Sequence, residues 1–232
     1  MKKILVVTLL YCTIATLSFG QEKAHQIYNK DGNKISYKTM LFKMKNADVV
    51  LFGENHNDPI SHWLQLELTK SLHEKHGENL MLGAEMLEAD NQVVLDEYLL
   101  GFSREKDFEK EAKIWPNHKT DYRPILRFAK ENDLHFVATN IPRRFANMVY
   151  RFGVDTLAYL PEASKQFIAP LPMAYDTSLH CYKEISIMAG GHGGENLPKS
   201  QAIKDATMAH FIHANMKEDT KFIHYHGSYH SK

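Results

Sequence analysis

Residues 48–56 read DVVLFGENH: an apolar run, Val49 to Phe52, passes through Gly53 into Glu54 and His56. Three later stretches repeat the form. LMLGAEML at 80–87 carries Glu85, HFVATN at 135–140 ends in Asn140, and KFIHYHGSYH at 221–230 ends in His226 and His230. Short continuous apolar runs suit strands buried on both faces, as in a parallel sheet.

Helical spacing fills the intervals. Ile60 to His76 carries Trp63, Leu64, Leu66, Leu68 and Leu72, and Gly77 is placed to stop it. Asn91–Leu100, Tyr122–Asn132, Pro142–Phe152 and Ser200–Met216 follow the same habit. Strands alternating with such helices predict an α/β fold, a mostly parallel central sheet flanked by helices on both faces. Before it, Gln26–Tyr28 and Ile35–Tyr37 flank Asp31-Gly32-Asn33, which predicts a small N-terminal hairpin, and Thr39 to Asn46 reads as a short helix. Residues 153–198, with their prolines and the loop Gly190-Gly191-His192-Gly193-Gly194, read as a lid or insertion.

The 232 residues hold 28 Lys+Arg, 28 Asp+Glu and 14 His, with 44% hydrophobic and 11% aromatic residues. That composition excludes wholesale disorder, and the charge balance argues against a broad nucleic-acid-binding surface. Lys2 and Lys3, the apolar run Ile4–Phe19 and the small residues Ser18 and Gly20 form a signal-peptide pattern over residues 1–20. Cleavage near Gly20 predicts an exported protein of the periplasm or envelope, a single domain over residues 21–232. It removes two lysines and no acid, leaving 26 basic against 28 acidic residues, a net charge of −2. Cys12 follows Tyr11 rather than the small residue a lipoprotein signal wants, and its loss leaves Cys181 with no disulfide partner. His230 stands two residues from the end, just past a core strand, so the natural chain is expected to continue.

In open α/β sheets ligands collect at the carboxyl ends of the strands. Here those ends carry Glu54 and His56, Glu85, Asn140, and His226 and His230. One His or Glu after a strand is ordinarily a loop hydrogen-bonder. With all four ends loaded, two His and a Glu make a reasonable ligand set for a divalent transition metal with open positions.

GENH at 53–56, the glutamate of GAEML at 85 and GSYH at 227–230 resemble the paired GxxH motifs and intervening glutamate of the Tiki/TraB/erythromycin-esterase superfamily. Within it, Tyr122-Arg123-Pro124, ATNIPRR at 138–144 and Gln201, Asp205 and Met208 are similar to the ChaN-like haem-binding uptake proteins. The family continues past its second GxxH into a further helix, in keeping with a truncated C-terminus here. The superfamily's proteolytic members imply His56, Glu85 and His230 as metal ligands and Glu54 as an outer partner or general base, with Glu54 and His56 catalytic if the protein is a hydrolase. The ChaN branch implies haem or an iron complex as ligand, a homodimer, and outer-membrane uptake machinery as partner.

Haem needs an axial ligand, an apolar face and cations for its propionates. On the resemblance, Tyr122, Arg123, Asn140, Arg143, Arg144 and Tyr229 form the expected cofactor set. Tyr175, Tyr182, His62, His118 and His180 are further axial candidates that spacing alone does not separate. Cys181 beside His180 is weak as a nucleophile, because adjacent side chains diverge in most backbones. The loop at 188–194 lacks the Lys-Ser/Thr ending of a phosphate loop.

Overall fold

The computed structural model describes residues 24–188 and 194–231. The expected signal peptide, residues 1–20, and the centre of the glycine-rich loop, residues 189–193, lie outside the described residues. Two compact units divide the chain, the residues up to Thr39 and Met40–Lys232. In the first, β1 (Ile27–Tyr28) and β2 (Lys34–Ile35) form the expected antiparallel hairpin, with Ile27 opposite Ile35. Asn29 closes the turn, its Oδ1 accepting the Asp31 and Asn33 amides at 3.0 and 2.8 Å. Helix α1 (Tyr37–Met44) leads from this unit into the second.

The second unit is built on β3 (Val49–Glu54), β4 (Leu80–Glu88), β5 (Phe136–Asn140) and β6 (Lys221–Gly227). All are parallel, in the order β3-β6-β4-β5. The last strand therefore enters between the first two, and Glu54 lies opposite Gly227. This crossover brings residues far apart in sequence to one end of the sheet.

Alternation along the strands sorts the core. Leu82, Ala84, Phe136, Ala138, Ile223 and Tyr225 face one buried cluster. It takes Leu68 and Leu72 from α2 (Pro59–His76), Leu95 from α3 (Gln92–Leu99), Phe108 from α4 (Glu105–Glu111) and Ile125 and Leu126 from α5 (Arg123–Glu131). Met81, Val137 and Phe222 face the other way. Burying each such side chain contributes roughly 1.5–3 kcal/mol.

Further along, α6 (Arg143–Phe152), the one-turn α7 (Glu162–Lys165), α8 (His180–Met188) and α9 (Asn196–Asn215) follow. Phe211 and Ile212 of α9 cover the second face of the sheet, and Phe145 and Val149 of α6 join Ile203 of α9 in a core of their own. The expected architecture is present. Three local readings change. Helix α9 begins at Asn196 rather than Ser200, because Pro198 is tolerated in a first turn. Helix α8 forms inside the stretch read as a lid or insertion, and α4 in a stretch left unassigned, held by the single buried apolar residue Phe108. Strand β4 runs on to Glu88 through a register shift between Ala84 and Glu88, so Glu85 sits inside the strand rather than after it.

Candidate functional site

Three neighbouring strand ends, those of β3, β6 and β4, bring His56, Glu85 and His230 together. Gly227 is the meeting point. A Cβ there would stand 2.8 Å from the His56 ring and 3.6 Å from Glu85 Oε2, so only glycine lets the imidazole lie over the strand end. Gly53 serves the same close packing, since a Cβ on it would meet Ser228 Cα at 2.9 Å and Ser231 Oγ at 2.8 Å. The turn carrying His230 is thereby drawn against β3.

Each histidine has one ring nitrogen held by a carboxylate. His56 Nδ1 donates to Glu54 Oε1 at 2.8 Å, and His230 Nδ1 donates to Asp205 Oδ1 at 2.5 Å. Between them Glu85 accepts the Gly227 amide at 2.8 Å and faces His230 Nε2 at 3.3 Å. Burial opposes charge on both Glu85 and His230, yet their mutual bond and Asp205 overcome it. Glu85 falls to about 2 and His230 rises to about 9. The His56 pKa is raised chiefly by its bond to Glu54, against the opposing effect of burial.

Glu54 is a closed hub. Its side chain is fully buried, Oε1 also accepts Tyr122 Oη at 2.6 Å, Oε2 accepts Gln65 Nε2, and His62 Nδ1 stands 3.5 Å away. His62 Nε2 in turn donates to the His56 carbonyl at 3.0 Å. A carboxylate so enclosed orients His56 and has no face turned to the cavity. Among the described residues no group of three or more His, Cys, Asp or Glu is arranged to hold a metal ion. His56, Glu85 and His230 converge, but Glu85 spends its oxygens on Gly227 and His230.

Beside this cluster opens a cavity of about 1210 Å³. Two helices supply its walls in stripes: Arg143, Ala146, Asn147 and Tyr150 from α6, and Leu197, Ser200, Gln201 and Lys204 from α9. Both stripes follow the i, i+3, i+4, i+7 spacing of one helix face. Ile114, Trp115 and Pro116 form an apolar wall, with Trp115 edge-on to the His56 ring at 4.8 Å. Lys113 pins that wall to Glu88 at 3.2 Å and Asp90 at 2.9 Å. Arg144 also pairs with Asp90, whereas Arg143 and Lys204 have no ion-pair partner among the described residues. Asn140, which lines the cavity, donates to the Glu85 carbonyl at 2.9 Å and leaves its buried Oδ1 without a partner among the described residues.

Of the expected cofactor set, Asn140, Arg143, Arg144 and Tyr229 line this cavity, as do His56, Glu85 and His230. Tyr122 and Arg123 do not. A π-helical turn, His118–Tyr122, swings Tyr122 under Glu54, where burial first and Glu54 second keep its phenol protonated. Arg123 is spent on Glu105 and Glu109, each at 3.2 Å. His62 and His118 are buried off the cavity, Tyr175 packs at a tilt against Tyr182, and His180 is exposed beside Glu184. Tyr229 Oη donates to the Cys181 carbonyl at 2.9 Å. Sequence reasoning missed Lys113, Trp115, Tyr150 and Lys204, although the helical stripe starting at Arg143 would have found Tyr150.

Fold and site define a parallel α/β protein with paired, carboxylate-held histidines beside a cation-rimmed cavity. The chain belongs to the family described as haem-binding uptake, Tiki superfamily, ChaN, which matches residues 40–232. It is similar in fold to ChaN of Campylobacter jejuni, described as binding haem cofacially, at a TM-score of 0.62 and 18% identity over 86% of this chain and 77% of that one. RRSP, an effector domain of a MARTX toxin from Vibrio vulnificus, aligns at a TM-score of 0.46 and 16% identity over 83% of this chain and 30% of that one. No curated protein matches.

Proposed function

We propose that this protein is an exported haem-binding protein of iron acquisition that takes haem into the cavity between α6, α9 and the carboxyl edge of the sheet. One observation carries the reading: one open cavity joins apolar walls, two cations without ion-pair partners among the described residues, and a half-exposed histidine already oriented by a carboxylate. With Nδ1 held by Glu54, His56 would be the residue to offer its other ring nitrogen to the haem iron. Ile114, Trp115, Ile141 and Leu197 would meet the macrocycle, and Arg143 and Lys204 its propionates. Bound haem supplies the iron that makes the protein a carrier; the chain's residues hold, orient and screen it. The volume exceeds the roughly 300–1,000 Å³ of ordinary small-ligand pockets. That room, with the cofacial binding described for the Campylobacter jejuni protein, supports a homodimer that encloses the ligand and passes it to outer-membrane uptake machinery.

Hemin titration tests this. Addition to the purified protein should shift the Soret band to a saturable end point, and His56→Ala should change the spectrum of the complex. Arg143→Ala and Lys204→Ala should each weaken binding about tenfold, the loss of one charge-assisted contact. An unshifted Soret band dismisses the proposal.

A second reading rests on the convergence of His56, Glu85 and His230: a divalent transition metal held there, with hydrolase chemistry. It requires His230 to release its Nε2 proton and Glu85 to turn from it. Metal analysis of the purified protein before and after EDTA separates the two readings.

A further inference from the structure

We infer that Asp205 is a positioning residue that ties helix α8 to the site histidine. Its carboxylate accepts from two partners on opposite sides. Oδ1 takes the Nδ1 proton of His230 at 2.5 Å, and Oδ2 takes the Tyr182 hydroxyl at 2.9 Å. Tyr182 lies in α8, is itself buried, and packs at a tilt against Tyr175 at 5.4 Å between ring centroids. Ile185, one turn on, lines the cavity. Helix α8 therefore forms part of the cavity wall.

Helix α8 also packs against α9. Leu179 and Ile187, before and within α8, are 46% and 77% exposed, and His180 pairs only within the helix, with Glu184. Among the described residues, two hydrogen bonds tie α8 to the rest of the unit: Tyr182 to Asp205, and Tyr229 to the Cys181 carbonyl. The first reaches His230 through Asp205 of α9, and the second runs to Tyr229, its neighbour, which packs edge-on against it at 5.3 Å. Asp205 stands one helix position beyond Lys204, which faces the cavity.

Two consequences follow from one carboxylate. The Asp205 bond fixes the ring plane of His230, so that Nε2 points at Glu85. A swing of that ring would disturb the Tyr182 bond and loosen α8. The wall and the histidine therefore move together. The coupling rests on the cavity being the ligand site, as proposed above, only in its last consequence, ligand entry. The geometry itself holds without any ligand.

The test uses Asp205→Asn, which preserves shape and removes one acceptor oxygen, and Tyr182→Phe, which removes only the α8 partner. Far-UV circular dichroism checks that both are folded. In nitrogen-15 NMR of the imidazoles, the His230 Nδ1–H signal should persist in the wild type and in Tyr182→Phe and vanish or move in Asp205→Asn. Hydrogen exchange across 182–187 should quicken about tenfold in both variants, the effect of one lost hydrogen bond on a local opening. An unchanged His230 signal in Asp205→Asn overturns the positioning role, and unchanged exchange in Tyr182→Phe overturns the tie to α8. With hemin, Tyr182→Phe should speed association; an unchanged rate removes the last consequence. A wild type that takes up no hemin refutes the haem proposal and leaves the first two readouts intact.

Discussion

Replacing Glu54 by alanine should lower the free energy of unfolding by about 3–5 kcal/mol, the range for removing one partner from a buried charged network. Tyr122, Gln65 and His56 all donate to this carboxylate, and the first two are buried. A shift of the urea midpoint with an unchanged slope would register the loss. Glu54→Gln, which keeps the volume and one acceptor, should cost less. A change below about 1 kcal/mol in the alanine variant would mean that the donors find new partners and that the hub is not structural. The result also bears on the hydrolase reading. Loss of activity in Glu54→Ala would not by itself identify a general base, because the same substitution disorders His56.

Acid should destabilise the fold from pH 6.5 downward through His224. This residue is buried on β6, with Nε2 against Thr139 Oγ1 at 2.7 Å and Nδ1 against His226 Nδ1 at 3.0 Å. Burial first, and the neighbouring His226 second, depress its pKa from 6.5 to about 3. Below pH 6.5 the unfolded chain takes up a proton that the folded chain refuses. Stability is thus complete above 6.5 and falls with pH by up to about 1.4 kcal/mol per unit until about pH 3. His226 and His118, both lowered by burial, act in the same direction. His230 has the opposite sign. Its contribution is complete below 6.5 and is lost as pH rises towards 9. Glu85 adds stability above about 4.5 that disappears as pH falls towards 2. Between pH 6.5 and 4.5 the slope therefore reports the buried histidines, and His224→Gln should make it shallower. Equal slopes in the two proteins would show that His224 accepts a proton without penalty.

The sheet was legible because parallel strands buried on both faces leave continuous apolar runs, and all four runs became strands. Their carboxyl ends also pointed to the site: His56, Glu85, Asn140 and His230 stand together there. What stayed hidden depends on contacts between distant segments. Tyr122 reads from sequence as a ligand candidate, yet one π-helical turn decides that it faces Glu54 instead of the cavity. Helix α8 lies inside the stretch that reads as a lid or insertion, and Tyr182 reaches from it across to Asp205. Lys113 and Lys204 look like any surface lysines until the topology sets them at one rim. The two stripes on α6 and α9 were the readable signal that went unused.

Strand β4 is irregular against its neighbour β5: Ala84 pairs with Ala138 and Glu88 with Asn140, so Glu85 lies within a bulge that Glu88 closes. Glu85 forms the floor of the cavity beneath His230, whereas Glu88 anchors Lys113 and with it the Trp115 wall. One bulge thus sets the height of the floor and the lean of the wall together. A substitution that straightens it would be felt as a change in the shape of the whole chamber, even where every residue that touches the occupant is intact.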